Sequence, residues 1–316
     1  MTSPLPDPPP QAGEGRVGVA LHGWLIVDKP AGMTSARVVA LVKRSAGAAK
    51  VGHAGTLDPL ATGILPLALG EATKTVQFAS GGRKRYRFRV RWGVATDTDD
   101  REGAVVAETA ARPDSAAVAA ALPRFTGTVL QRPPAYSAIK VAGRRAYALA
   151  RAGAPPELPA RAVEIAELAL LGMPEPDHAE FTALVGDGTY IRSLARDLAA
   201  ALGTLGHIAE LRRTSVGRFT EAQAISLDSA VALGHNLAAS EHLLPIETAL
   251  DDIPALAVTA AEAARLRHGQ RVPVGERPLR QQIDEGTLVG VRHGRLVVAL
   301  ARIEAGNLRP VRIINR

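Results

Sequence analysis

The stretch Lys50–Lys74, KVGHAGTLDPLATGILPLALGEATK, decides how the rest of the chain is read. It carries one histidine, His53, and one aspartate, Asp58, which stands in front of Pro59. Glycines at 52, 55 and 63 lead into an apolar run. A residue before proline is pushed out of the α region towards extended or polyproline geometry, and glycine admits conformations that other residues resist. The expected picture is a stiff loop holding one carboxylate against a buried strand, Ile64–Leu69. Taken alone, the loop also reads as an ordinary Asp-Pro turn between two elements, the commoner case.

Working outward, Trp24–Val27 reads as a buried strand ended by the turn Asp28-Lys29-Pro30-Ala31-Gly32, and Thr34 or Ser35 caps a helix to about Ser45. On the other side lies Arg83–Trp92, RKRYRFRVRW, a period-two pattern. It points Arg83, Arg85, Arg87, Arg89 and Arg91 to one face and Lys84, Tyr86, Phe88, Val90 and Trp92 to the other. Five arginines side by side repel one another without a counter-charge. That face reads either as solvated or as a contact for a polyanion, while Tyr86 and Phe88 fall on the side where core packing is expected. Asp97–Gly103, DTDDREG, is an acidic turn without the spacing of a calcium loop.

Further on, a strand at Phe181–Val185 meets the turn Gly186-Asp187-Gly188, and Thr189 is expected to cap the helix YIRSLARDLAAAL. Arg192 falls in its first turn, the wrong end of the macrodipole for a cation, which hints at a specific anion. Arg196 and Asp197 read as surface charge. From about Asp251 the pattern changes to short strands with one helix capped by Thr259, and the end is basic.

Whole-chain properties narrow the chemistry. At 316 residues the chain is long enough for two domains. It has no cysteine, which excludes disulfides, thiolate nucleophiles and zinc–thiolate sites. Lys and Arg outnumber Asp and Glu 38 to 31, a mild bias towards a polyanionic partner. Residues 1–20, rich in Pro and Gly and lacking the apolar core of a signal peptide, are expected to be a disordered lead-in. No apolar run reaches membrane-spanning length, so a cytoplasmic location is expected. The spacings of a P-loop, a dinucleotide fold, a zinc protease and a nucleophile elbow are all absent. What remains is a carboxylate used by itself, as nucleophile or base, with an arginine to hold it.

Four motifs in order now carry a resemblance. DKPAGMTS at 28–35, GHAGTLDPLATGILPLALGEATK at 52–74, KRYR at 84–87 and GTYIRSLARDL at 188–198 resemble the bacterial tRNA pseudouridine-55 synthases of the TruB type, over roughly Gly23 to Gly217. The C-terminal part is similar to the PUA-like RNA-binding domain of that family, mainly by position and β-rich pattern. The resemblance implies an α+β fold: a pseudouridine-synthase catalytic domain at 21–250, with a mixed β-sheet and central cleft, and a small β-rich PUA-like domain at 251–316. It implies isomerisation of uridine-55 in the TΨC loop of tRNA, by base flipping, with no cofactor and no metal.

Residue by residue, Asp58 stands at the position of the family's catalytic aspartate, and Arg192 would pair with it across the cleft. Tyr86 would stack on the extruded uracil. His53 would fill the space the base leaves, and Tyr190 and Leu211 would close the pocket. Lys29 and Pro30 belong to a motif expected to pack beneath the catalytic loop. Ala54 departs from the family pattern, where threonine is frequent. The partner implied is the tRNA TΨC arm, with no membrane, and a monomer is expected. Rival readings are a non-catalytic RNA-binding or tRNA-folding protein on the same scaffold, a synthase acting on another RNA site, and a small-molecule hydrolase.

Overall fold

The computed structural model describes residues 21–141, 143–275 and 283–316. The lead-in expected at residues 1–20 lies outside them. The strand Gly23–Lys29 is apolar and buried on both faces, as a continuous Trp-Leu-Ile-Val run demands. It pairs antiparallel with Thr62–Leu69 over its whole length, and both lie inside one large sheet. From one edge to the other the strands are Ile225–Ser226, Gly23–Lys29, Thr62–Leu69, Gly206–Val216, Lys84–Trp92, His178–Val185, Arg161–Glu175 and Gly127–Gln131. Val51–His53 adds to Thr62–Leu69, and Phe219–Thr220 adds to Gly206–Val216. The sheet is mixed: Ile225–Ser226 and Gly206–Val216 run parallel to their neighbours Gly23–Lys29 and Thr62–Leu69.

The join between the two halves of this sheet is short. Gly206–Val216 pairs with Lys84–Trp92 along its length, but with Thr62–Leu69 only at Arg212↔Thr62 and Arg213↔Gly63. The halves therefore separate on one side of that contact. A cavity of about 370 Å³ opens there, lined among others by Ala31, Leu60, Thr62, Leu211 and Arg212. Gly63 is fixed by the join, because its φ is +96° and an added Cβ would lie 2.2 Å from the Arg213 carbonyl oxygen.

Gly206–Val216 is thus a central strand. Two arginines and a glutamate interrupt its apolar positions, and long-range pairing decides it. The alternation of Lys84–Trp92 appears as expected, with Tyr86, Phe88, Val90 and Trp92 buried. Phe181 stacks on Phe88 at 5.3 Å and meets Trp92 edge-on. The helix Ile191–Ala201 covers this side with Leu194, Ala195 and Leu198.

On the opposite, arginine face, four of the five arginines find acids within the protein. Arg83 pairs with Glu164, Arg85 with Glu167, and Arg87 and Arg89 both with Glu180. Arg89 also lies 3.5 Å from Glu210. Glu180 and Glu210 come from the two flanking strands, the cross-strand arrangement that favours opposite charges, and Glu164 and Glu167 from Arg161–Glu175 one strand further out.

The C-terminal residues form a second sheet in the order Ala255–Ala257, Leu288–His293, Leu296–Glu304, Asn307–Ile313 and Val272–Pro273. The helix Ala260–Arg267 carries a capping box between Thr259 and Glu262. This module does not hang free. Val297, Leu300 and Ile314 share an apolar cluster with Trp24, Ile26, Ile64 and Ala68 of the large sheet. Lys74 donates to the Ile313 carbonyl, Glu71 accepts from the Asn315 amide, and Glu247 accepts from the Val297 amide. No helix among the described residues is long and apolar enough to cross a membrane.

Candidate active site

The loop between His53 and Thr62 makes few ladder hydrogen bonds, so its backbone is held by side chains from elsewhere. Ser35, buried in the first turn of its helix, accepts from the Leu57 amide at 2.9 Å and donates to the Leu57 carbonyl at 3.0 Å. The Lys29 ammonium, fully buried, donates to the carbonyls of Pro30, Met33 and Pro59 at 2.7–3.2 Å. The Gly32 amide donates to the same Pro59 carbonyl. Arg213, also fully buried, donates from Nε to the Ile64 carbonyl at 2.9 Å and from Nη2 to the Gly55 carbonyl at 3.0 Å. A longer contact of 3.4 Å runs from its Nη1 to the Thr56 carbonyl.

Residues 55, 56, 57 and 59 are thereby tied down on both sides of Asp58. Its own carbonyl accepts from the Ala61 amide, and its side chain is 35% exposed. Burial drives the Lys29 pKa down from 10.5 to about 8, partly opposed by the nearby Asp58 and Glu102 charges.

Arg192 reaches Asp58 from the far half of the sheet, Nε to Oδ2 at 2.9 Å. That contact is one of charge. The aligned hydrogen bonds of the guanidinium go to the carbonyls of Thr98 and Tyr136, both at 2.9 Å. Asp100, itself buried, lies 3.7 Å from Nη1 and is held by the Thr98 hydroxyl and the Glu102 amide. A cation in the first turn of a helix opposes the macrodipole; two carboxylates and two carbonyls offset that here.

The acidic turn that supplies Asp100 and the Thr98 carbonyl is pinned to the Gly206–Val216 strand. A bulge between Ile208 and Glu210 lets Ile208 exchange hydrogen bonds with the Asp99 carbonyl and the Arg101 amide. Asp99 adopts a positive φ of 60° and pairs with Arg196 at 2.8 Å. Arg196 also donates to the Arg132 carbonyl. It anchors the turn and is more than the plain surface charge its sequence suggests.

Tyr86 is 8% exposed and belongs to the same apolar cluster as Leu57, Leu60 and Leu211. Its strand partners are Ala183 and Arg213. Leu211 pairs with Phe88 and lines the cavity. His53 pairs with Leu67 at the loop's entry, and its Nδ1 is buried without a partner. Burial, followed by the Arg213 charge, lowers its pKa, so the ring is uncharged at neutral pH.

Tyr190, half-buried, is the N-cap residue of the Ile191–Ala201 helix, displacing Thr189 from that role. It has no side-chain cap of its own. The buried Gln131 amide serves instead, accepting from the Tyr190 amide at 2.8 Å and donating to its carbonyl at 3.1 Å. Arg161 lies over the Tyr190 ring at 5.5 Å. Pro30 is exposed and enters the site only through its carbonyl.

Ser35, Gln131, Asp100 and Arg213 thus join Lys29 and the other expected residues. Their roles at the site have no local cause and arise only when the fold brings them to the loop and its arginine.

Residues 43–191 match the model for the TruB family pseudouridylate synthase N-terminal domain, and residues 192–251 match the tRNA pseudouridylate synthase B C-terminal domain. The chain is 53% identical to tRNA pseudouridine synthase B of Rhodospirillum rubrum, over 95% of this chain and 98% of that one. The identity to the same enzyme of Caulobacter vibrioides is 51%, over 94% and 97%. The chain belongs to the TruB family of tRNA pseudouridine synthases. The TruB activity is an isomerisation that makes pseudouridine-55 in tRNA. The TruB chain also resembles one in an H/ACA RNP bound to a substrate RNA containing 2'-deoxyuridine. The TM-score is 0.72, with 25% identity over 93% of this chain and 86% of that one. A chain in a Cbf5-Nop10-Gar1 complex gives 0.71 and 26%, over 93% and 85%.

Proposed function

We propose that pseudouridine formation runs at Asp58, with uridine-55 of the tRNA TΨC arm flipped into the cleft between the two halves of the sheet. The reaction breaks the bond between C1′ of the ribose and N1 of uracil and forms one between C1′ and C5. The proton on C5 leaves and N1 gains one, so atoms balance without a redox partner. The observation that carries the reading is the bracing of the loop. Its backbone is fixed on both sides of Asp58, whose partly exposed carboxylate sits 2.9 Å from a buried guanidinium.

A positioned carboxylate acting on the ribose or on its proton needs this arrangement. Pure RNA binding does not. Tyr86, beside Leu211 and Leu60 in one cluster, offers an aromatic face to the base; stacking of this kind is worth about 1–3 kcal/mol per base. Flipping also needs something to fill the gap in the RNA, and the uncharged His53 at the loop's entry is suited to that. Tyr190 and Leu211 close the pocket, and Lys29 with Pro30 supports the loop from below. We read residues 21–250 as the catalytic domain, 251–316 as a PUA-like RNA-binding module, and the protein as a cytoplasmic monomer, which light scattering on the purified chain tests.

The deciding experiment is Asp58→Asn assayed by release of tritium from C5 of labelled uridine in tRNA. Turnover should fall by at least about three orders of magnitude, within the loss of about 10²–10⁴-fold usual for one acid–base group, while tRNA affinity stays within a few fold. Turnover that survives the change removes Asp58 from the chemistry. An intact turnover at a uridine outside the TΨC loop would overturn the substrate position instead.

A further inference from the structure

Arg213 is the least expected residue of this site. It is fully buried at the short join of the two half-sheets, and none of the described carboxylates pairs with it. Burying an unpaired cation is costly, and an apolar residue of similar volume would fill the space at less cost. Its hydrogen bonds show where the compensation goes. The planar fork of donors suits several acceptors at once, and all three of its partners are carbonyls of the catalytic loop or of the strand that follows it. Its own backbone meanwhile pairs with Gly63 on one side and Tyr86 on the other.

The loop is shaped to receive this guanidinium. Gly55 turns through a φ of +89°, and a Cβ there would stand 3.3 Å from Nη1. Gly63 makes room for the Arg213 backbone in the same way. One residue therefore sets the distance between the strand bearing Tyr86 and the arm of the loop that leads to Asp58. Its charge is felt locally as well, contributing to the lowered pKa of both His53 and Lys29.

We propose that Arg213 is a positioning residue for the isomerisation, fixing the Gly55–Thr56 arm so that Asp58 meets the flipped nucleotide at its reacting geometry. The proposal rests on Asp58 being the reacting carboxylate. Because Arg213 reaches the loop from within the sheet and is fully buried, its loss should misplace Asp58 without removing any contact that binds tRNA. A displacement of about 1 Å costs on the order of 100-fold in rate.

The test compares Arg213→Gln and Arg213→Lys with the wild type on tRNA, at temperatures where each is folded by circular dichroism. The Gln variant should lose about 100-fold in kcat with KM within about threefold. The Lys variant keeps the charge but not the fork, and should recover part of the loss. A Gln variant whose kcat per folded molecule stays within threefold of wild type overturns the proposal, as does an equal loss entirely in KM. If the Gln variant does not fold, the Lys variant decides alone. A tenfold or larger loss of kcat at unchanged KM supports the role, and a smaller loss overturns it. Asp58→Asn measured alongside separates failure of this proposal from failure of Asp58 as the reacting group.

Discussion

At the scale of single residues, the site is built on cations placed where the sequence gives little reason for them. Arg192 resolves an apparent conflict with its helix dipole by meeting Asp58 and Asp100. Lys29 is buried to reach three carbonyls, and its depressed pKa has a measurable consequence. In the unfolded chain the ammonium titrates near 10.5, in the folded chain near about 8. Between those values the unfolded state holds the extra proton, so the Lys29 contribution makes stability rise with pH. That contribution is complete above the unfolded value and is lost as the pH falls towards about 8. Urea titrations of wild type and Lys29→Met between pH 7.5 and 10.5 should show the difference moving in favour of wild type as pH increases. A difference that is flat across the window would mean that Lys29 is not desolvated as described.

At the scale of elements, the Ile191–Ala201 helix is the hub. Arg192, Ser193 and Arg196 on its first turns hold the acidic turn at 97–103 and the segment starting at Arg132. Its N-terminus is in turn held by Gln131, from the edge strand of the sheet. Gln131→Ala would leave the Tyr190 amide without its partner, while the carbonyl keeps the Leu194 amide, a cost of about 1–3 kcal/mol. Thermal melts should register that loss, and kcat should fall about tenfold as the guanidinium of Arg192 loses its fixed origin. A variant as stable and active as wild type would show that the helix is positioned by its packed face alone. Thr189→Ala, by contrast, should change little, since Thr189 is not the cap.

At the scale of the molecule, the C-terminal sheet is part of the catalytic domain's support. Val297, Leu300 and Ile314 complete the cluster around Trp24, Ile26 and Ile64. Truncation before Ala255 would withdraw those three side chains, worth roughly 5–9 kcal/mol together at the usual value per buried aliphatic group. The melting temperature should drop by about 10 °C or more. A truncated chain that melts within a few degrees of the full one would show that the shared cluster adds little. Truncation is therefore a poor probe of RNA contact. Charge reversal at the exposed Arg295 and Arg312 leaves the cluster intact. If the module touches RNA phosphates, this double variant should weaken tRNA binding and flatten its salt dependence.

The local sequence determined those features whose causes are local. The apolar run of Gly23–Lys29, the Thr34 cap, the alternation of Lys84–Trp92 and the Asp-Pro geometry at Asp58 all follow from neighbours in the chain. The family motifs named Asp58, Arg192 and Tyr86. Tertiary structure decided what depends on register and long-range contact. Gly206–Val216 became a central strand because Lys84–Trp92 pairs along it. Four of the five arginines on one face are paired because Glu164, Glu167 and Glu180 come within reach of them, and Arg196 became an anchor because Asp99 folds onto it. The opening loop shows the division most plainly. Its sequence dictates a constrained aspartate, but the hydrogen bonds that hold it come from Lys29, Ser35 and Arg213, up to 158 residues away along the chain. A pattern of neighbours cannot contain those partners, because only the closed sheet brings them within bonding distance.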